Sequence, residues 1–308
     1  MTLKIGHIRP EGSSADINVK AFRDEISEKS NGKIKIDIYP ASQLGDYTVV
    51  QERVSIGDID MQIASVGTNM DRNLGVNVMP YLVDTWAETE EVYAIDGEIT
   101  KIMDRVLDKY NLKLLATYPV YFGGIALVDE PPSPTDANVP KGIKIRVPAI
   151  KSFEKTAEAL GYIGTPLPFA DTFSSMQTGI VDGAIGAGAE GYYSNFRDLI
   201  NYYLPLNDHF EMWYLYINKD KWESFTPAEQ KVIQEAASNL ERKRFEEAEA
   251  EQSEYEQKLR DEGITVIEFT DEELKAFGDK VRKEVWPVLR DEFDADIFEE
   301  VTKGYNID

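Results

Sequence analysis

The sequence predicts an α/β chain folded as two similar lobes, and three observations carry that prediction. One pattern is written twice: KIKIDIYP (Lys33 to Pro40) leading to SIGDIDMQIA (Ser55 to Ala64), and KGIKIRVP (Lys141 to Pro148) leading to QTGIVDGAIG (Gln177 to Gly186). Each copy reads as a period-2 strand, a helical stretch, and a Gly-x-Ile/Val-Asp turn into a second apolar strand. The 308 residues, 42% of them apolar, exceed what one hydrophobic core usually organises and suffice for two. The amino-terminal order of strand, loop, helix and strand is that of a βαβ unit, which calls for a largely parallel sheet. Two such lobes facing one another form a cleft, a favoured place for a small ligand. The copies differ at one position of consequence, Asp37 in the first and Arg146 in the second.

Residues Leu3 to Ile8 read as the first strand, and Pro10-Glu11-Gly12-Ser13-Ser14 as a loop. Asp16 to Ser30 carries Val19, Phe22, Arg23 and Ile26 three or four apart, the spacing of an amphipathic helix, with Asn31-Gly32 as its stop. Ligands of parallel sheets collect beyond the carboxyl ends of strands, where the loop after Ile8 falls. The run LKLLATYPVYFGGIALV, Leu112 to Val128, is too long for one ordinary strand and is interrupted by Pro119 and Gly123-Gly124. It reads as a strand leaving the first lobe, a crossover, and a strand entering the second. Glu130 to Pro134 is a loop, and the aromatic-rich EMWYLYI, Glu211 to Ile217, marks a second crossing in strand conformation. Thr226-Pro227-Ala228-Glu229 supplies the N-cap, N1 and N3 residues of a capping box, and neither Pro nor Gly follows until after Glu262. One helix of more than about 30 residues is expected, the alternative being two shorter ones bent near Glu246 to Glu251. Thr270-Asp271-Glu272-Glu273 opens a C-terminal helix before Trp286-Pro287. The expected lobes are residues 1–123 with 212–254, and 124–211 with 255–308.

A net charge of −23 argues against nucleic acid and anionic membrane surfaces, which need a basic face to release counterions. It leaves a small anion open, because a local Arg dominates its own pocket while distant surface carboxylates are screened by salt. Cysteine is absent, which excludes disulfides, thiolate catalysis and Cys-based metal sites. No stretch is long and apolar enough to span a bilayer, and Met1-Thr2-Leu3-Lys4-Ile5 leads directly into a strand without a signal-peptide pattern. An exported form has therefore lost its targeting segment. Enzymatic readings find little: the two histidines, His7 and His209, are separated by most of the chain, with no HExxH, Gly-x-Ser-x-Gly or Walker A pattern. The series Gly183, Gly186, Gly188, Gly191 is dismissed as a dinucleotide fingerprint on its spacing, and no cofactor or metal is expected.

In Ile143-Lys144-Ile145-Arg146-Val147-Pro148 the alternation puts Lys144 and Arg146 opposite Ile145, which on periodicity alone suits a solvated strand face. Position favours a site, because Pro148 ends the strand and leaves Arg146 at its carboxyl end. The planar guanidinium fork donates two parallel hydrogen bonds, a match for carboxylate or sulfonate oxygens.

Further matches are Asn31-Gly32-Lys33-Ile34, Tyr39-Pro40, Ser42-Gln43-Leu44-Gly45, Gly57-Asp58-Ile59-Asp60-Met61, Lys141 to Pro148, Gln177 to Gly183, and Asn218-Lys219-Asp220-Lys221-Trp222. On these segments the chain resembles the extracytoplasmic solute-binding proteins of tripartite ATP-independent periplasmic (TRAP) transporters, the DctP family, which deliver organic acids to a sodium-coupled membrane symporter. The resemblance implies a two-lobe, periplasmic-binding-protein-like (Venus flytrap) α/β fold with a long helix connecting lobes that close on ligand. It also implies that the family's carboxylate-binding arginine falls on Arg146 and a ligand-packing aromatic on Phe169. Where many members have Gly-Phe-Arg this chain has Gly124-Ile125-Ala126, and where many have Glu-Asn-Pro it has Ile185-Gly186-Ala187. A second anchoring cation and an amide donor are thus missing, which disfavours a C4-dicarboxylate or sialic acid, since a second carboxylate would be desolvated without a partner.

Arg9, in the loop after the first strand, is a candidate replacement cation, its alternative being a solvated loop residue. Ser65 follows the first Gly-x-Ile-Asp unit where that strand meets the cleft. Trp213 is a candidate pocket wall or a core residue of the crossing strand. Gly186 and His209 complete the candidate ligand residues, with a structural role as the other reading of His209. The expected function is reversible capture of a small carboxylate or sulfonate with one acidic group, the ligand biasing an open–closed equilibrium by its extra affinity for the closed form. Partners are the organic anion and the TRAP membrane subunits, with no nucleic acid and no membrane insertion. A periplasmic monomer is expected. A ligand-sensing subunit of a signalling receptor and an enzyme on the same scaffold are the rival readings.

Overall fold

The computed structural model describes residues 1–305. In chain order its elements are β1 (Thr2–Gly6), α1 (Ser14–Lys29), β2 (Lys35–Tyr39), α2 (Tyr47–Ser55), β3 (Met61–Ala64), α3 (Trp86–Tyr93), α4 (Glu98–Asp108), β4 (Leu112–Phe122) and β5 (Gly124–Leu127). There follow β6 (Lys144–Val147), α5 (Lys151–Ala159), β7 (Ile163–Pro166), α6 (Thr172–Gln177), β8 (Gly183–Ala187), α7 (Ala189–Phe196), β9 (Tyr202–Leu204) and β10 (Phe210–Asn218). The chain continues with α8 (Lys219–Glu223), α9 (Pro227–Asp261), β11 (Thr265–Val266), α10 (Asp271–Leu289) and α11 (Ala295–Val301). Contacts divide it into a first unit of Met1–Leu74, Glu90–Val120 and Met212–Glu247 and a second of Gly75–Thr89, Tyr121–Glu211 and Ala248 onward. Gly75–Thr89 thus groups with the second unit, where the sequence reading had put it in the first.

The first unit holds a five-stranded sheet in the order β2-β1-β3-β10-β4. β1 is parallel to β2 and β3, and β10 runs antiparallel to β3. In β1, Leu3 and Ile5 are buried and Thr2 and Lys4 exposed, the alternation that fixes register when one face meets a core. β10 sits inside the sheet and is buried at every position. Helix α1 begins where Ser13 accepts a hydrogen bond from the Asp16 amide, buries Val19, Phe22 and Ile26, and stops at Asn31 and Gly32, both left-handed at φ 51° and 73°.

The second unit holds a six-stranded sheet in the order β11-β9-β5-β8-β6-β7. β6 is parallel to β7 and β8, while β5 runs antiparallel to β8 and β9. Each unit therefore contains three parallel strands followed by an antiparallel one, with β1 matching β6, β2 matching β7 and β3 matching β8. The written-twice pattern aligns correctly at β3 and β8, but its opening strands do not correspond: β2 lies at a sheet edge and β6 inside. The second copy has gained β7 and α6 between its opening strand and its turn, and a short apolar strand ending in Pro suits any strand of a βαβ unit. Asp37 and Arg146 are not counterparts; the strand equivalent to β6 is β1, and the arginine near its carboxyl end is Arg9, three residues beyond Gly6.

Two further expectations are corrected. Pro119 does not break Leu112–Phe122, because β4 is an edge strand where a missing N–H costs no ladder bond, and the break falls at Gly123. Helix α10 continues through Pro287 to Leu289, since a proline so near the end removes little of the hydrogen-bond ladder. Helix α9 is one element of 35 residues rather than two. Its capping box is formed, the Thr226 amide donating to Glu229 at 2.9 Å and the Glu229 amide to the Thr226 hydroxyl at 3.4 Å.

The reciprocal bonds of Thr270 with Glu273, 2.8 and 3.2 Å, cap α10 in the same way. Thr270→Ala removes one of them and should cost about 1 kcal/mol, lowering the melting temperature by roughly 2–4 °C in scanning calorimetry. An unchanged melting temperature would show that water replaces the cap without loss.

Candidate functional site

In the second unit Arg146 lies in β6, its Cα paired with Thr165 of β7 and Ala184 of β8. Lys144 is exposed, but Arg146 is only 3% exposed, so the solvated-face reading does not hold for it. Its Nε donates to the Leu167 carbonyl at 3.0 Å and its Nη1 to the Ile185 carbonyl at 3.4 Å. The guanidinium lies 5.7 Å from the centre of the Phe169 ring, which packs edge-on against Phe196. Gly186 makes this arrangement possible: its φ is +89°, and a Cβ there would stand 2.7 Å from Pro148 and 3.4 Å from Arg146 Nη1. Arg146, Phe169 and Gly186 are therefore one cluster at the carboxyl ends of parallel strands, the usual ligand side of such sheets.

Gly186, Gly188 and Gly191 do stand at Gly-x-Gly-x-x-Gly spacing where β8 passes into α7, so spacing alone does not dismiss them. Packing does. A Cβ on Gly188 would lie 2.4 Å from the Tyr121 ring and one on Gly186 would meet Pro148, so side chains fill the places where a pyrophosphate would approach the backbone.

His209 joins this cluster through Tyr121, whose hydroxyl donates to the Gly186 carbonyl at 3.4 Å and whose ring meets the imidazole edge-on. The imidazole is buried against Phe153, with Nδ1 2.7 Å from Asp208 Oδ2 and Nε2 3.5 Å from Glu211 Oε2. Burial disfavours its charged form, but the charge and hydrogen bond of Asp208, with Glu211 behind them, outweigh that and raise its pKa to about 9. A Cβ on Gly123 would fall 2.2 Å from this ring, which explains the glycine there.

In the first unit Arg9 follows β1 and is 1% exposed, not the solvated loop residue of the alternative reading. It lies 4.9 Å over the Trp213 ring. Ser65 directly follows β3 and is buried. Because β10 runs antiparallel to β3, with Tyr214 opposite Ala64, the amino-terminal end of β10 carrying Trp213 adjoins the carboxyl end of β3 carrying Ser65. The loop holding Arg9 is fixed by its backbone: the Arg9 carbonyl accepts from the Ala41 amide at 2.8 Å and the His7 carbonyl from Ser42 at 3.1 Å. His7 is buried beside Asp16 at 3.3 Å, and burial pulls its pKa down despite that carboxylate.

Sequence reasoning missed Tyr121, Asp208, Glu211, Tyr118 and Arg244. The His209 carboxylates flank it at i−1 and i+2, a visible signal. Arg244 interrupts the buried helical stripe Ile233, Ala237, Leu240, Ala248, which is equally readable. Among the described residues no cluster of three or more His, Cys, Asp or Glu suits a metal ion, and no helix is long and apolar enough to cross a membrane.

The profile of the family described as bacterial extracellular solute-binding protein, family 7, matches residues 5–291. A solute-binding protein of Roseobacter denitrificans is 28% identical over 276 residues, covering 87% of this chain and 82% of that one. The sialic acid-binding periplasmic protein SiaP of Vibrio cholerae is 26% identical over 304 residues, covering 96% and 89%. Among solved structures, a TRAP periplasmic solute-binding protein of Haemophilus influenzae with bound L-gulonate superposes with a TM-score of 0.87 at 23% identity, covering 98% of this chain and 99% of that one. The sugar acid binding protein DctPAm of Advenella mimigardefordensis with galactonate gives 0.88 at 21% identity, covering 98% and 96%. These likenesses show a shared two-lobe α/β fold.

Because the folded pKa of His209 is raised from 6.5 to about 9, its charge contributes stability that is fully present below pH 6.5 and lost as pH rises through 9. The loss should approach about 3 kcal/mol. Urea unfolding of the wild type and His209→Gln across pH 6 to 10 should show their stability difference shrinking through that window; a pH-independent difference would mean the imidazole is neutral in the folded protein.

Proposed function

The chain belongs to the bacterial extracellular solute-binding proteins of family 7, and from that premise we propose that it captures a small organic anion, a sugar acid, with Arg146 as the carboxylate anchor. The observation that carries this is the Arg146 guanidinium, buried at the carboxyl end of β6 and oriented by the Leu167 and Ile185 carbonyls over Phe169. A guanidinium so fixed loses little freedom when a carboxylate takes its fork, so its hydrogen bonds go into affinity. Structural relatives hold L-galactonate, beta-D-galacturonate and L-gulonate, each a single acidic group on a polyhydroxylated chain or ring. That chemistry fits one strong cation with polar and aromatic neighbours, and favours a carboxylate over the sulfonate that the sequence left open.

Arg9, Ser65 and Trp213 are the further ligand contacts in this reading. Binding is reversible and leaves the acid unchanged. The protein acts in the periplasm, as the names of its sialic acid-binding and 2,3-diketo-L-gulonate-binding relatives state for those proteins, and hands its ligand to the membrane subunits of a TRAP transporter.

Galactonate, gulonate, galacturonate and glucuronate should raise the melting temperature to different extents, the best of them most, because ligand bound only by the folded state stabilises it. In calorimetry with that acid, Arg146→Ala should weaken binding at least about 100-fold while the protein stays folded. Arg146→Lys should restore little, since an ammonium cannot form the paired bonds. Wild-type affinity in Arg146→Ala would remove Arg146 as the anchor.

A further inference from the structure

A row of four buried side chains runs through the first unit from Arg9 to the long helix. Arg9 lies 4.9 Å over the Trp213 ring, and Trp213 is stacked on Tyr118 with 5.9 Å between centroids and 22° between planes. The Arg244 guanidinium of α9 lies 4.7 Å from the centre of the Tyr118 ring. Its Nε and Nη2 both donate to the Pro119 carbonyl, at 3.3 and 3.1 Å, so it grips the backbone next to the ring it covers. The Tyr118 hydroxyl accepts from Asn18 Nδ2 at 3.1 Å, and Asn18 Oδ1 accepts from Lys243 Nζ at 3.4 Å, so the same turn of α9 reaches Tyr118 by a second route. Arg9, Trp213 and Tyr118 are each 1% exposed and Arg244 is 2% exposed.

A cation attracted to a ring face takes its position from the ring. The Trp213 plane is set in turn by the Tyr118 plane, and Tyr118 by a guanidinium whose two donors on one carbonyl fix both its distance and its tilt. We propose that Arg244 is a positioning residue for ligand capture: through Tyr118 and Trp213 it sets the place of the Arg9 guanidinium. Arg244 acts by shape, its planar fork matching ring and carbonyl together, which an ammonium on a flexible stem does not reproduce. The inference rests on the reading above in which Arg9 contacts the ligand.

The test compares Arg244→Met, Arg244→Lys, Tyr118→Leu, Arg9→Ala and the double variant Arg9→Ala/Arg244→Met. The probe is whichever of galactonate, gulonate, galacturonate and glucuronate stabilises the wild type most. Arg244→Met and Arg244→Lys should each lose about tenfold in affinity, and in the Arg9→Ala background Arg244→Met should cost clearly less than it does alone, because the part of its effect that runs through Arg9 is already gone. The ligand-free protein supplies a second readout: near-ultraviolet circular dichroism should lose in Arg244→Met the same tryptophan bands that it loses in Trp213→Phe. If Arg244→Met does not fold, Tyr118→Leu breaks the row at its middle and must show the same affinity loss and the same bands. Full affinity in Arg244→Lys, or losses that simply add in the double variant, or unchanged tryptophan bands, would each overturn the positioning role. Should no acid bind, or should Arg146→Ala bind as the wild type does, the functional reading fails, while the ligand-free bands still decide whether Arg244 orients Trp213.

Discussion

Keeping an arginine charged inside a protein is the constraint from which the rest of this structure follows. A guanidinium does not neutralise, so burying it costs several kcal/mol unless ring faces and backbone oxygens are brought to it in the right geometry. The chain accepts that cost at the carboxyl ends of topologically equivalent strands, at Arg9 after β1 and Arg146 in β6. Each has an aromatic ring beneath it, Trp213 in one case and Phe169 in the other. The surroundings are shaped to suit. Gly186 takes a left-handed conformation that leaves room beside Arg146 and Pro148, and Ala41 and Ser42 adopt φ values of 51° and 57° in the loop that ties down the backbone of His7 and Arg9.

Other buried charge serves the same framework. The imidazole of His209 is held as a cation by Asp208 and Glu211, and through Tyr121 it borders the glycine that admits Arg146. His7 goes the other way: burial outweighs Asp16 and disfavours its charged form, while the Gly12 amide and Lys20 keep the Asp16 carboxylate ionised against its own burial. Two histidines on one chain thus differ in charge because one meets two carboxylates and the other meets a carboxylate already satisfied by an amide and a lysine.

Much of the fold was legible because its signals are local. Capping boxes at Thr226 and Thr270, the stop at Asn31-Gly32 and the Gly-x-Ile/Val-Asp turns depend on a few adjacent residues, and each stands where the pattern put it. What depended on the order of strands within a sheet was not legible. Periodicity cannot tell an edge strand from an inner one, so β2 was matched with β6, and Pro119 was expected to end a strand whose open side tolerates it. The same limit applies to side chains. Arg146 was readable from its place before Pro148, whereas the burial of Arg9 depends on a tryptophan more than two hundred residues away in the sequence, and no spacing rule connects them.

Neither unit is a continuous stretch of chain, and this has a consequence for biosynthesis. The sheet of the first unit places β10 between β3 and β4, so those two have no common neighbour until residues beyond Phe210 have left the ribosome. By then nearly the whole second sheet has been translated, lacking only β11. The amino-terminal half must therefore wait, an inner strand missing, with the β3 edge unpaired.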